Sequence, residues 1–176
     1  MSIVIRPADN RDVSGVVNVI HAVFDEYSFT WDAADYHADL YDLETHYTAK
    51  GHTFFVAEVE GNVVGTIALE RFDLIPGEFG RLTTIDGFVR VSGCDCSLER
   101  MYVHPAARRC GAGGALIQHI VSIAKVENRR AMEVWSDKRF VDAHRLYGSF
   151  GAKAVGERIC HDPDLSPEWG LMIQLE

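Results

Sequence analysis

Apolar positions near the start of the chain follow strand spacing first and helix spacing afterwards. The β-branched run at 3–6 ends at Pro7, and Asp9 or Asn10 can then cap a helix. The apolar residues that follow recur at i, i+3, i+4 and i+7, which predicts one buried helix face. That face consists of Val13, Val16, Val17, Ile20, Val23 and Phe24.

After an aromatic-rich break, the spacing predicts a second helix and then a β-hairpin. The buried face of the second helix would consist of Tyr36, Leu40, Leu43 and Tyr47. Runs at 53–59 and 62–70, joined through Gly61, are rich in β-branched and aromatic residues and predict two antiparallel strands. The glycine-rich segment 74–95 is predicted to be a connecting loop or strand extension, with a short hairpin around 82–91.

The second half of the chain alternates between strand-like and helix-like segments. Strands are predicted at 97–103 and 131–135, each followed by a helix, and two further strands near 153–160 and 170–175. The first of these helices buries Leu116, Ile117, Ile120, Val121 and Ala124, and the second runs over 140–149. This order predicts an α/β (α+β) fold: a mixed, mostly antiparallel central sheet of six to seven strands flanked by helices.

Length, composition and charge then narrow the class of protein. With 176 residues, 47% of them hydrophobic, the sequence predicts one globular domain over 1–176 and argues against intrinsic disorder. The net charge of −9 argues against a nucleic-acid partner. Residues 1–96 hold 6 basic and 16 acidic side chains, whereas residues 97–160 hold 11 basic and 6 acidic. Such asymmetry suits a site for one anionic and one cationic ligand, or is a chance feature of a solvated surface.

Cysteine and histidine spacing predicts no metal site, because neither a paired CxxC nor an HExxH motif is present. The cysteines are therefore expected to be reduced thiols of a cytoplasmic protein. No apolar run is long enough to predict a membrane partner, and the first residues lack the order of a signal peptide. The sequence leaves open whether the chain acts alone or as a homodimer.

A glycine-rich turn after the strand at 97–103 carries the clearest chemistry. Its R-x-x-G-x-G pattern opens a helix, and free N–H groups at a helix start, together with the helix dipole, bind pyrophosphate. A Walker A loop is excluded because no Gly-Lys-Ser/Thr occurs there, and Leu116 breaks a dinucleotide fingerprint. A tight turn without a ligand is the alternative. The turn consists of Arg108, Arg109, Cys110, Gly111, Ala112, Gly113 and Gly114.

Together with the segment Ala143-His-Arg-Leu-Tyr147, this strand–turn–helix unit resembles the GCN5-related N-acetyltransferase (GNAT) family. The resemblance implies an acetyl-CoA-dependent transferase with the CoA pyrophosphate on residues 108–114. It also implies that the strands at 97–103 and 131–135 splay apart, with pantetheine along Met101, Tyr102 and Val103. Two positions depart from the family pattern: Phe140 replaces a common Asn, and Gly151-Ala152 replaces Gly-Phe.

Acetyl transfer to an amine needs a proton acceptor, an oxyanion donor and an acid for the leaving thiolate. The resemblance implies that Tyr147 is the acid, the alternative being a tyrosine that only packs its helix. For the base, Glu99 ranks above His144, and His144 above Asp137; Glu99 could instead form a surface ion pair with Arg100. The backbone N–H of Met101 is the expected oxyanion donor.

Aromatic and acidic side chains predict where the acceptor binds. Phe29, Trp31, Trp135 and Asp137 are the candidate substrate-binding residues, since such groups suit an ammonium ion. The same aromatic residues could simply pack a helix corner. The predicted activity is therefore acetyl transfer to a primary amine of a small molecule, or to a protein amine. The alternatives are a catalytically silent acyl-CoA sensor and, less favoured, a nucleotide-dependent oxidoreductase.

Overall fold

The computed structural model describes residues 2–175 as one seven-stranded sheet with helices on both faces and a separate small hairpin. The strands are β1 (Ile3–Pro7), β2 (Thr53–Val59), β3 (Asn62–Arg71), β4 (Leu82–Ile85), β5 (Phe88–Val91), β6 (Cys96–Val103), β7 (Ala131–Asp137), β8 (Lys153–Ile159) and β9 (Pro167–Gln174). The α-helices are α1 (Val13–Tyr27), α2 (Leu43–His46), α3 (Ala112–Val126) and α4 (Val141–Ser149).

The large sheet has the strand order β1-β2-β3-β6-β7-β9-β8, and its strands are antiparallel except for the β6–β7 pair. That parallel pair is short, joining Cys96–Leu98 to Met132–Val134. Beyond Leu98 and Val134 the two strands no longer pair with each other, although β6 stays paired with β3 and β7 with β9. The predicted fold class, a mixed and mostly antiparallel sheet of six to seven strands, is confirmed, and so is the splay that the family resemblance implied.

Two apolar layers enclose the sheet. On one face, Leu116, Ile117 and Ile120 of α3 pack against Ile67 and Leu69 of β3. On the other face α1 packs against β2 and β3, burying Val16, Ile20, Phe24, Phe54, Val56 and Ala68. Each large side chain removed from water contributes about 1.5–3 kcal/mol, so these layers hold α1 and α3 firmly against the strands between them.

The prediction of one continuous second helix is wrong. The segment is broken into 3₁₀ turns at Ala38–Tyr41 and Thr48–Lys50, with only the single turn of α2 between them. Asp42 interrupts the helix because its backbone is extended (φ −150°, ψ 81°) and its side chain caps α2 by accepting from the Thr45 N–H at 3.1 Å. The apolar residues Leu40, Leu43 and Tyr47 are buried as predicted.

The hairpin expected around 82–91 is present as β4 and β5, a two-stranded sheet of its own. Its turn, Asp86-Gly87, has two positive φ angles (51° and 84°), the geometry that closes a two-residue hairpin. Glu133 of β7 anchors it, accepting from Arg90 Nε at 2.6 Å and from the Val91 N–H at 2.8 Å. These two hydrogen bonds hold the hairpin against β7.

No helix within residues 2–175 has the length and apolar character that crossing a bilayer requires.

Candidate active site

A β-bulge in β6 shapes the site. Thr66 of β3 faces Tyr102, but Ala68, two residues later, faces Glu99, so β6 carries an extra residue there. Arg100 absorbs it with a left-handed backbone (φ 49°), and Thr66 Oγ1 donates to the Arg100 carbonyl at 2.7 Å. The bulge is thus held by a buried hydroxyl on the neighbouring strand.

The bulge changes which side chains share a face of the sheet. Met101 and Val103 pack with the α3 layer, and Met101 also touches the cavity; Tyr102 packs with the α1 layer, and Glu99, Arg100 and Tyr102 all line the cavity. Strict alternation would put Glu99 and Tyr102 on opposite faces, because they are three residues apart. The bulge is the reason that both side chains reach one cavity.

The cavity has a volume of about 620 Å³ and lies where β6 and β7 separate. Tyr147 of α4 lines it together with Glu99 and Tyr102 from β6. Trp135 and Asp137 reach it from β7, and the hairpin turn contributes Gly87, Phe88 and Val89. This size is typical of a small-molecule site.

Tyr147 is buried, 4% exposed, and lines the cavity without a hydrogen bond to any residue that the structure describes. Burial raises the pKa of Tyr147 well above its ordinary value, and the neighbouring Tyr102 and Glu99 raise it further. The phenol therefore stays protonated throughout the physiological range, in the form that can give up a proton.

Glu99 has a strongly perturbed carboxyl group. Burial, followed by the negative charge of Glu70, raises the pKa of Glu99 to about 8. The ion pair considered for Glu99 and Arg100 does not form. Arg100 Nη2 instead donates to Asp39 Oδ1 at 2.7 Å and to the Tyr36 carbonyl at 2.6 Å. Glu99 is thus left facing the cavity.

The other two candidate bases are already engaged. His144 Nε2 lies 3.0 Å from Ser136 Oγ, and burial lowers the pKa of His144; its side chain is not part of the cavity lining. Asp137 reaches the cavity but accepts hydrogen bonds from Arg139 Nε at 2.9 Å and Nη2 at 2.6 Å. Burial acts to raise the pKa of Asp137, and the Arg139 bonds outweigh it and lower that pKa.

The glycine-rich turn leaves the start of α3 open. Gly111 (φ 91°) takes the N-cap position without a side-chain cap, and the first helical bond runs from the Ala115 N–H to the Gly111 carbonyl. The amides of Ala112, Gly113 and Gly114 have no partner within the helix. Of the predicted phosphate ligands in the turn, Arg109 and Cys110 are exposed, while Arg108 Nη1 donates to Glu26 of α1 at 2.7 Å.

The candidate acceptor residues divide into two groups. Phe29, Trp135 and Asp137 line the cavity. Trp31 lies outside the lining and stacks on the buried His37, with ring centres 3.9 Å apart. The surroundings of Trp31 are therefore those of the alternative stated above, an aromatic side chain that packs against its neighbours and does not line the cavity.

Several cavity residues, Glu70 and Arg158 among them, escaped the sequence analysis, whereas Glu168 lies in the turn at 161–169 that was expected to contribute to the acceptor pocket. Glu70, at the end of a predicted strand, could have been found by pairing that strand with the one carrying Glu99. Arg158 and Glu168, from β8 and β9, form an ion pair of 2.7 Å at the cavity, and burial raises the pKa of Glu168. No local pattern marks this pair, because only the order of β7, β9 and β8 brings it to the site.

Strands that part beside an uncapped helix start, with an unbonded tyrosine at the gap, form the arrangement that the resemblance to GCN5-related N-acetyltransferases implied. Residues 18–152 match the family model described as the Acetyltransferase (GNAT) family. The chain belongs to this family, as the sequence motifs predicted.

Three N-acetylaspartate synthetases match part of the chain. An N-acetylaspartate synthetase from Danio rerio is 29% identical over 69% of this chain and 37% of its own length. The Homo sapiens N-acetylaspartate synthetase is 31% identical over 68% of this chain and 34% of its own length. The chain therefore spans about a third of the length of these relatives.

Solved structures of the same fold cover the chain almost completely. A GNAT-family acetyltransferase from Staphylococcus aureus Mu50 has a TM-score of 0.75 at 20% identity, covering 99% of this chain and 100% of its own. A putative acetyltransferase from Salmonella typhimurium, solved with its cofactor acetyl-CoA, has a TM-score of 0.72 at 18% identity, covering 100% and 95%. These likenesses support the fold.

Proposed function

We propose that the protein transfers the acetyl group of acetyl-CoA directly to a primary amine of a small molecule. The observation that carries this proposal is the pairing of Tyr147 and Glu99 at the gap between β6 and β7. Both side chains line one cavity, and neither is held in an ion pair or a hydrogen bond with an opposite charge. One holds its proton firmly, and the other has the raised pKa of a competent base.

The start of α3 fits the anionic end of acetyl-CoA. The amides of Ala112, Gly113 and Gly114 lack helical partners, and no side chain occupies the space around Gly114. Arg109 is exposed beside them, and Arg108 can reach a phosphate by exchanging its bond to Glu26. The pantetheine arm would then follow Met101, Tyr102 and Val103 into the gap. Acetyl-CoA supplies the thioester, the activated acetyl group that the residues of the cavity act upon.

The residues then divide the proton transfers between them. Glu99 takes a proton from the incoming ammonium, and the freed amine attacks the acetyl carbon. The Met101 N–H, at the bulge, donates to the carbonyl oxygen as negative charge develops there. Tyr147 gives its proton to the leaving sulfur and regains one from the amide nitrogen. Each turnover consumes one ammonium and releases one proton to solvent through Glu99.

The acceptor is proposed to be a small amine held by Phe29 and Trp135 in the aromatic part of the cavity. The names of the relatives make aspartate one candidate. Arg100 and Arg158 line the cavity and could hold a carboxylate, although each is bonded to an acid of the protein, Asp39 and Glu168 respectively. A protein amine would have to enter below the hairpin turn.

An amine panel tests this function. The purified protein is incubated with acetyl-CoA and aspartate, other amino acids, simple alkylamines, diamines or a lysine peptide, while thiol release and acetylated product are measured. We expect turnover of at least one small amine and stabilisation of the protein by acetyl-CoA against heat. Stabilisation without turnover of any amine would support an acyl-CoA sensor instead. No stabilisation by acetyl-CoA would overturn the proposal.

A further inference from the structure

Glu70 lies beside Glu99 on the same face of the sheet. In the antiparallel register Ala68 faces Glu99 and Glu70 faces Ser97, so the two glutamates are diagonal neighbours across β3 and β6. Diagonal pairs of this kind lie within reach of each other when their side chains are long. Both glutamates line the main cavity and a second one of about 360 Å³ that adjoins it.

Neither glutamate is neutralised by a basic group in the part of the chain that the structure describes. The arginines around the second cavity are bonded to other acids: Arg71 to Glu127, Arg90 to Glu133 and Arg158 to Glu168. Two carboxyl groups are therefore left adjacent and unpaired where the main cavity meets the second. Like charges this close oppose each other's ionisation.

We propose that Glu70 is a positioning residue that acts through Glu99, its negative charge making Glu99 a stronger base toward the acceptor ammonium. This inference rests on the proposed function, in which Glu99 takes that proton. The step breaks an N–H bond of the ammonium and forms an O–H bond on Glu99, which later returns the proton to solvent. Without Glu70, the same transfer would be less favourable, because a weaker base accepts the proton.

Other charges face the pair and set the size of the effect. Glu70 acts on His52, on which Lys50 and Arg71 also act; near Glu99 are Arg158, which lowers its pKa, and Glu133, which raises it. Glu168 and Arg90 also lie in the cavity walls, each within one of the ion pairs named above. Burial is the first cause of the raised pKa of Glu99, about 8, and Glu70 is the second. Removing Glu70 should therefore move this pKa only part of the way back.

The experiment compares the wild-type protein with Glu70→Gln. Since an ionised Glu99 is the active form, the acid limb of kcat/KM should lie near the pKa of Glu99, about 8. In Glu70→Gln we expect that limb to move down by about one pH unit, with a several-fold lower kcat on the plateau. Glu70→Asp keeps the negative charge, so its acid limb should lie close to that of the wild-type protein. Glu60→Gln, an exposed glutamate outside both cavities, is the matched control and should leave the profile unchanged.

Carbon-13 NMR titration of the glutamate carboxyl groups, without substrates, separates this inference from the proposed function. A lower pKa of Glu99 in Glu70→Gln, in parallel with the shifted profile, would support the inference. An unchanged pKa of Glu99 would overturn it, and so would a shifted pKa with an unmoved rate profile. Full activity of Glu99→Gln would instead refute the base role of Glu99 in the proposed function, whatever the titration finds.

Discussion

Tyr147 and Tyr102 enter the same cavity from different elements, and their surroundings are closely similar. Burial raises the pKa of each well above its ordinary value, and neither hydroxyl is bonded to a described residue. Position therefore has to decide which of them protonates the leaving sulfur. Tyr147 projects from α4 into the cavity where β6 and β7 separate, whereas Tyr102 packs among the aromatic rings of Phe24 and Phe140.

Replacing Tyr147 by Phe should lower kcat about 10-fold or more, because the thiolate then leaves without its proton donor. The affinity for acetyl-CoA should change little, and the free energy of unfolding should stay within about 0.5 kcal/mol, since no hydrogen bond is lost. Steady-state kinetics, calorimetric acetyl-CoA titration and urea unfolding measure the three quantities.

Tyr102→Phe is the matched control for this substitution, because it removes from the same cavity a hydroxyl that is likewise unbonded to any described residue. It should retain most of the wild-type kcat. Loss of activity in Tyr102→Phe, with Tyr147→Phe nearly intact, would transfer the role of the acid to Tyr102.

At the scale of elements, the start of α3 is a helix end without a cap. A carboxylate at Gly114, the third helical position, would interact favourably with the free amides and the helix dipole. Space is available, because apart from the adjacent residues and the backbone of the helix itself no described atom lies within 4 Å of a Cβ built at Gly114. The adjacent Gly113 differs, since a Cβ there would meet Leu146 and Met101 at 3.1 Å.

Gly114→Glu should therefore stabilise the protein by about 0.5–1 kcal/mol while weakening acetyl-CoA binding about 10-fold or more. The two effects have opposite signs because the carboxylate occupies the place proposed for the pyrophosphate and repels it. Thermal unfolding and equilibrium titration measure them, with Gly114→Gln as the uncharged control of equal size. Equal acetyl-CoA affinity of the two variants would mean that the pyrophosphate binds elsewhere.

Elements with strong periodicity could be predicted from the sequence, and local exceptions could not. The apolar spacing of α1 and α3 and the strand order of the second half are all found as predicted. The helix predicted through Tyr36 and Tyr47 failed because Asp42 caps a turn instead of continuing one. The bulge at Arg100 could not be placed from the sequence, since an isolated arginine gives no sign of a left-handed backbone.

The residues of the candidate site likewise fall into those that the sequence could suggest and those that only the folded structure brings together. Tyr147 and Glu99 belong to segments that the resemblance covers, so both could be proposed before the structure. The partners of Arg100 and Arg108 could not, because Asp39 and Glu26 are distant in sequence and meet them only through packing. Glu70 is intermediate: its strand was predicted, but its nearness to Glu99 depends on the register between β3 and β6.

At the scale of the whole molecule, ion pairs join the acidic first half of the sequence to the basic second half. Arg100–Asp39 and Arg108–Glu26 are two of them. Arg90–Glu133 runs the other way, from the acidic half to β7. The charge asymmetry of the sequence is therefore partly cancelled within the fold. The open start of α3 remains for the anionic ligand that we propose there, while the hairpin and the unpaired glutamates lie at the proposed acceptor end.

A substitution in the hairpin tests whether the acceptor binds at the hairpin and acetyl-CoA at the start of α3. Phe88, at its turn, is 52% exposed and lines both cavities, so it contributes contact area at the acceptor end without supporting the core. Phe88→Ala should raise the KM for the acceptor amine by about 5- to 10-fold, which corresponds to roughly 1–1.4 kcal/mol of lost aromatic contact. The dissociation constant of acetyl-CoA should be unchanged, because its proposed contacts lie on β6 and α3.

Leu74→Ala is the control, since Leu74 is 50% exposed and lines neither cavity. Both variants should unfold within about 0.5 kcal/mol of the wild type, as expected for exposed side chains. A KM for the amine that rises only in Phe88→Ala would place the acceptor under the hairpin. A change in acetyl-CoA affinity with an unaltered KM for the amine would mean that the hairpin covers the cofactor instead, reversing the two ends of the cleft.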